Sequence, residues 1–242
     1  MKKFLSLLLN NFFLSLILLS LIAPFGAQAS TVYGLTFDSG GTHEVLVGDT
    51  LTGATGGATA VVLSITLSSG TWAGGDAAGL FVLTGKSGTF QAENLNEGAN
   101  ANVATIAGTA SSVVQTVTNV NKEVACMTFT WTGEGGAGEV APMDSDIEID
   151  GWILYAVTNP GSTAPTDDYD ITLVDADGID VAGGQLIDRD TANSEVCLLD
   201  IDSNAMPAGR FVDGTITFTI TNQAVTTALG VCKLYIKRYN LR

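Results

Sequence analysis

After residue 30, apolar and polar positions alternate along most of the chain. That period of two marks strands with one buried face. The cleanest case is 215–221, where Ile216, Phe218 and Ile220 point one way and four threonines the other. Residues 147–157 carry Ile147, Ile149, Ile153, Tyr155 and Val157 in one phase. A turn-rich linker at 159–166 follows, then a strand at 169–174, a turn at Asp175-Ala-Asp-Gly178 and a third strand from Ile179. The pattern predicts a three-stranded meander there. No window beyond residue 30 keeps apolar residues at i, i+3, i+4 and i+7, so little helix is expected.

Taken in order, the runs predict an all-β protein of two tandem antiparallel modules. The first, residues 30–110, has expected strands at 31–37, 44–47, 58–67, 80–84, 89–95 and 103–107. Gly-rich turns separate them, and glycine supplies the positive φ that tight hairpins need. Gly48-Asp-Thr-Leu-Thr-Gly53 with its following apolar strand echoes Ala92-Glu-Asn-Leu-Asn-Glu-Gly98 with its own. Two such hairpins can pack as a small barrel or sandwich. Small residues at 108–112 make the best boundary, and 111–122 is expected as a linker, with 113–120 able to form a connecting strand. The second module, 123–242, has expected strands at 124–132, 147–157, 170–174, 179–186, 195–199, 214–221 and 230–238. That rhythm is a β-sandwich's. Phe129, Trp131, Trp152, Phe211 and Tyr235 are its expected core bulk.

Residues 1–29 change the picture at the N-terminus. Two lysines precede a Leu/Phe-rich run, and Ala27-Gln-Ala29 offers small residues for cleavage, the pattern of a secretory signal peptide. The alternative is a short hydrophobic helix retained as an anchor, since 4–22 is long enough to span a bilayer. A leader of this kind points to export: periplasmic, at the cell surface or extracellular. A chain starting at Ser30 loses two lysines and keeps all 25 acids, so net charge moves from −15 to −17. Such a surface repels phosphate backbones and excludes direct nucleic-acid binding as an expected role. Four of the eight basic residues left fall in 233–242. They read as a last strand with solvated lysines, or as a strand that docks on an acidic neighbour.

Candidate chemistry is sparse. Cys126, Cys197 and Cys232 each sit in or beside an apolar run and read as buried free thiols; their pairing stays open. Lone His43 has no Ser or Cys context and reads as an exposed strand residue. Residues 53–59 are Gly-rich but lack the Lys-Ser/Thr of a phosphate loop. Asp175, Asp177 and Asp180 surround Gly178 and could converge on calcium. A complete EF-hand loop would need a further acid and a later Glu that are missing, and a plain hairpin uses the same residues. Asp144, Asp146, Glu148 and Asp150 form an acidic row expected to be solvated. No nucleophile, base and orienting group are legible together, so the protein is not expected to be an enzyme, and no cofactor is expected beyond that possible calcium.

The C-terminal module resembles a family of structural proteins from tailed bacteriophages. The residues that carry the resemblance are Phe129-Thr-Trp131, Val157-Thr-Asn-Pro-Gly-Ser-Thr-Ala-Pro-Thr-Asp-Asp-Tyr-Asp-Ile-Thr-Leu173, Asp175-Ala-Asp-Gly-Ile-Asp-Val181 and Arg189-Asp-Thr191. In the first module, Gly48-Asp-Thr-Leu-Thr-Gly-Ala-Thr55 with Ser87-Gly-Thr-Phe90 looks like a small β module that recurs in phage virion proteins. The resemblance implies membership of a virion and no defined role. The expected role is an accessory protein, in head decoration or the tail, located in the virion, whose partners are other protein subunits, including copies of itself. The leader supports a second expectation, an exported surface or matrix protein that mediates adhesion or binds glycan or cations, with membrane contact only through an uncleaved leader.

Overall fold

The computed structural model describes residues 29–199 and 209–239. The expected leader, Ala29 apart, lies outside the described residues, as do residues 200–208 and 240–242. The described chain is all-β: fifteen strands and no helix.

The first six strands are β1 (Ala29–Asp38), β2 (Thr50–Gly53), β3 (Thr59–Ser69), β4 (Ala78–Ser87), β5 (Glu93–Glu97) and β6 (Asn100–Ile106). They close into an antiparallel ring in the order β1-β4-β3-β2-β5-β6, shut by Phe37↔Ile106 and Asp38↔Thr105. Closure removes the free edges that a small open sheet would expose. The echo in the sequence matches this arrangement. Leu51 pairs with Ala60 in the first hairpin and Leu95 with Ala104 in the second, all four buried. The two hairpins lie side by side through Leu51↔Glu97 and Gly53↔Leu95. Inside, Phe37 stacks on Phe81 at 4.0 Å and on Trp72 at 5.4 Å. Each such ring, fully buried, contributes about 1.5–3 kcal/mol. The strand expected at 44–47 does not form. The Leu46 amide donates to the Asp49 carboxylate at 2.7 Å, so the chain turns there and β2 starts at Thr50.

The remaining strands are β7 (Ser111–Asn119), β8 (Val124–Thr132), β9 (Met143–Asp144), β10 (Ile149–Pro160), β11 (Asp170–Asp175), β12 (Glu195–Leu198), β13 (Arg210–Gly214), β14 (Ile216–Thr221) and β15 (Leu229–Arg238). They build two layers. The larger runs β12-β10-β15-β8-β7-β1, with β13 also on β10; the smaller is β11-β14-β9. Their inner faces share one core, in which Phe129 of β8 stacks on Phe218 of β14 at 4.5 Å. The stretch expected as a linker is mostly β7, held by β1 on one side and β8 on the other. Strand β1 serves both modules. Its first half pairs with β7, and its second half pairs with β4 and β6 in the barrel.

Two expectations for 147–186 change. The meander is absent, because the turn-rich linker carries the chain from the larger layer (β10) to the smaller (β11). Residues 179–186 form turns laid along the edge of β11, with the Ile171 amide donating to Leu186 and the Val181 amide to Leu173. The uniform phase of 147–157 also breaks. A register shift between Ile153 and Tyr155 puts Ile149 and Ile153 inside but Ala156 and Thr158 inside after it. Tyr155 and Val157 therefore face outward.

Candidate functional site

The outward face of the larger layer gathers aromatic side chains that were expected in the core. Trp152 of β10 lies opposite both Lys237 of β15 and Phe211 of β13. Its ring meets Phe211 edge-on at 5.5 Å, and Phe211 meets Tyr239 edge-on at 5.9 Å. One step along, Tyr155 and Tyr235 stack at 4.4 Å across the strand pair. Val196 and Leu198 of β12 complete the patch, and Lys233 and Lys237 stand beside the rings. Phe211 is 44% exposed, Val196 66% and Tyr239 67%, more apolar surface than an isolated residue leaves. Trp152, Phe211 and Tyr235 thus correct the core expectation, while Phe129 and Trp131 are fully buried as expected. Sequence parity alone places Trp152 opposite in phase to Ile149 and Ile153; only the strand shift reveals that Tyr155 joins it.

The expected calcium residues are put to other use. Asp175 Oδ1 accepts the amides of Asp177 and Ile179 at 3.0 and 2.9 Å. Asp180 Oδ1 accepts from Leu173 and Ala182, both at 3.1 Å, and its Oδ2 accepts from Gly184 at 2.8 Å. These bonds shape the turn around Gly178, whose φ is +80°. Asp177 is exposed at the turn. Among the described residues, no group of three or more His, Cys, Asp or Glu is placed to hold a metal ion. Asp144, Asp146, Glu148 and Asp150 are all exposed.

His43 lies in an exposed bend, not a strand. Its Nε2 is 3.0 Å from the Glu97 carboxylate and 3.2 Å from the Asn100 amide nitrogen. All three cysteines are buried and free. Arg189 Nη1 donates to Cys197 Sγ at 2.8 Å and sits 3.3 Å from the Glu195 carboxylate. Burial pushes the Cys197 thiol up, against the opposing pull of Arg189. Burial likewise raises Cys232 and the Tyr169 hydroxyl. A nucleophilic thiol has to ionise, and raised values keep these protonated. The cluster ties the end of β12 to the β11 side.

Two buried carboxylates serve the fold. Glu93 accepts the amides of Thr55 at 2.6 Å and Gly56 at 2.8 Å, fixing the β2–β3 turn. Glu134 accepts the Thr36 amide at 2.8 Å, the Thr36 hydroxyl, and the Ala137 amide at 2.9 Å. That second set clamps the loop after β8 onto β1. Neither protein-family models, nor curated proteins, nor solved structures provide a match to this chain.

Proposed function

We propose that the protein is a non-enzymatic structural or accessory subunit of a phage virion, in head decoration or the tail, that works through its surfaces. The observation that carries the reading is the aromatic and lysine-bearing outer face built on an ordered sheet. An exposed aromatic patch ringed by charged side chains suits contact with other protein subunits. The resemblance of residues 129–191 to tailed-phage structural proteins points the same way. Strand β1 shared between barrel and sandwich adds stiffness, which lowers the ordering cost of repeated contacts. The test is quantitative mass spectrometry of purified particles. Stoichiometric copies of the chain are expected, and its absence from particles overturns the reading.

A second reading has its own support in residues 1–29, whose lysines, apolar run and Ala-Gln-Ala read as an export signal. On that reading the same face mediates adhesion or contact with glycan at the cell surface or in a matrix. Fractionation separates the two. Recovery in the periplasmic, surface or extracellular fraction without particles favours the second, and recovery only in cytoplasm and particles rules it out.

A further inference from the structure

We propose that two copies of this chain pair through the free edge of β3, residues 63–69 of one copy running antiparallel to the same residues of the other about a two-fold axis at Thr66. The inference rests on the reading of the protein as an assembly subunit and names a contact that it makes.

The two edges of β3 are used differently. One pairs with β4 along the whole strand, from Thr59↔Ser87 to Ser69↔Ala78. The other pairs with β2 only through 59–61, and at Val62 the amide donates to Asp49 while the carbonyl accepts from Gly48. Among the described residues, no backbone group pairs with 63–69 on that side. An antiparallel strand turns alternate residues' N–H and C=O groups to each side, so this run presents open donors and acceptors. Its side chains are exposed apart from Ile65, which packs partly on the barrel core. Edges of this kind are usually guarded by charge or proline. Leu63-Ser-Ile-Thr-Leu-Ser-Ser69 has neither. Register shifts between Val62 and Ser64 and between Leu67 and Ser69 mark its ends and leave the middle regular.

Two features select a second copy as the occupant. The first is charge. At net −15, copies meet most easily where neither presents acids. No charged residue occurs between Asp49 and Asp76, and none follows in β4 until Lys86. The nearest acids in sequence, Glu44, Asp49 and Asp76, stand in the turns beyond the run; Asp49 accepts the Leu46 amide and Asp76 the Thr71 amide. The second feature is pattern. The open run spans 63–69, so a two-fold pairing that uses all of it centres on Thr66. That register sets Thr66 against Thr66, Ser64 against Ser68 and Ile65 against Leu67. Hydroxyls then meet hydroxyls and apolar side chains meet apolar ones, both favourable across a strand pair. A slip of one residue would set each apolar side chain against a hydroxyl. The contact is isologous, so it closes at the dimer.

Sedimentation of the full chain over a rising concentration series tests the pairing, and mass that levels at a dimer is expected. Thr66→Lys alone puts lysine against lysine, and Thr66→Asp alone puts aspartate against aspartate. Each is expected to weaken dimerisation about tenfold or more. Mixing the two in equal amounts is expected to restore it, because unlike charges then face each other. Thr66 is exposed, and far-ultraviolet circular dichroism checks that both variants fold. Hydrogen exchange needs no variant: as concentration rises, slowing confined to 63–69 is expected. A wild-type chain that stays monomeric overturns the pairing. So does a dimer that both variants leave intact, a mixture that fails to associate, or slowing at 149–160 and 229–239 instead, which would put the contact on the aromatic face. The particle assay fails separately: a chain found in particles but monomeric in solution sinks the pairing alone, and a chain that dimerises but is missing from particles sinks the virion reading alone.

Discussion

Glu139 lies next to the buried Glu134 in the loop after β8, and its carboxyl is held above the ordinary range. Desolvation is the main cause, with the Glu134 charge second. The folded state thus binds the Glu139 proton more tightly than the unfolded state does. Ionised Glu139 costs stability above its folded pKa, and that cost fades as pH falls through it. Glu139→Gln is expected to raise the thermal midpoint at neutral pH, and the two proteins are expected to converge in acid; melts at both conditions check this. Gly230 makes a different single-residue argument. A Cβ there would lie 2.4 Å from two carbons of the buried Trp131 indole. Gly230→Ala forces that ring aside in a close-packed core and should cost about 1–3 kcal/mol. A lower thermal midpoint with shifted tryptophan emission is the expected outcome.

Among the elements, β1 carries the most consequence. Its Gly34 lets β1 approach β7 and the loop after β8, since a Cβ there would sit 2.6 Å from Ser111 Oγ and 2.8 Å from the Ala141 Cβ. Gly108 does the same one turn away, where a Cβ would meet the Gly135 backbone at 2.6 Å. Gly108, in the stretch that reads as a module boundary, is small because backbones pass close together there. As β1 pairs with β7 through residues 29–34 and with β4 and β6 beyond, strain at Gly34 reaches both modules. Gly34→Val is expected to lower protection of β3 in the barrel and β15 in the sandwich together, read by hydrogen exchange with mass spectrometry. Loss confined to one module would refute the coupling.

For the molecule as a whole, the charge balance matters most. At −15 the folded chain repels itself, and compaction brings those acids closer than the unfolded chain holds them. Added salt shortens the screening length to roughly 10 Å at 0.1 M, so the thermal midpoint of a dilute sample should rise with ionic strength. A flat or falling midpoint would mean that local pairs outweigh the general repulsion. On the outer face of the larger layer the lysines of β15 stand with the exposed Asp150 of β10 and Asp213 of β13, so that face is mixed in sign.

Much of this was legible in the sequence. Strand β8 falls where alternation placed it, and so do β7, β11, β14 and β15 within a few residues. Ile216, Phe218 and Ile220 are buried as their phase required, because side-chain parity in a strand is a local property. The like hairpins at Leu51 and Leu95 were legible as a repeated local motif: an acid, a leucine two residues on, a Gly turn and an apolar strand. What local pattern does not encode is which strands meet. Closure of the barrel through Phe37↔Ile106, the sharing of β1, and the division of β10 and β11 between layers all join residues far apart in sequence. The register shift after Ile153 inverts a face without changing a residue type, so only the partner strands reveal that Tyr155 and Val157 look outward. Parity alone sets Trp152 against Ile149 and Ile153, but bringing Phe211, Tyr155 and Tyr235 to its side is the work of strand pairing, which tertiary structure decides.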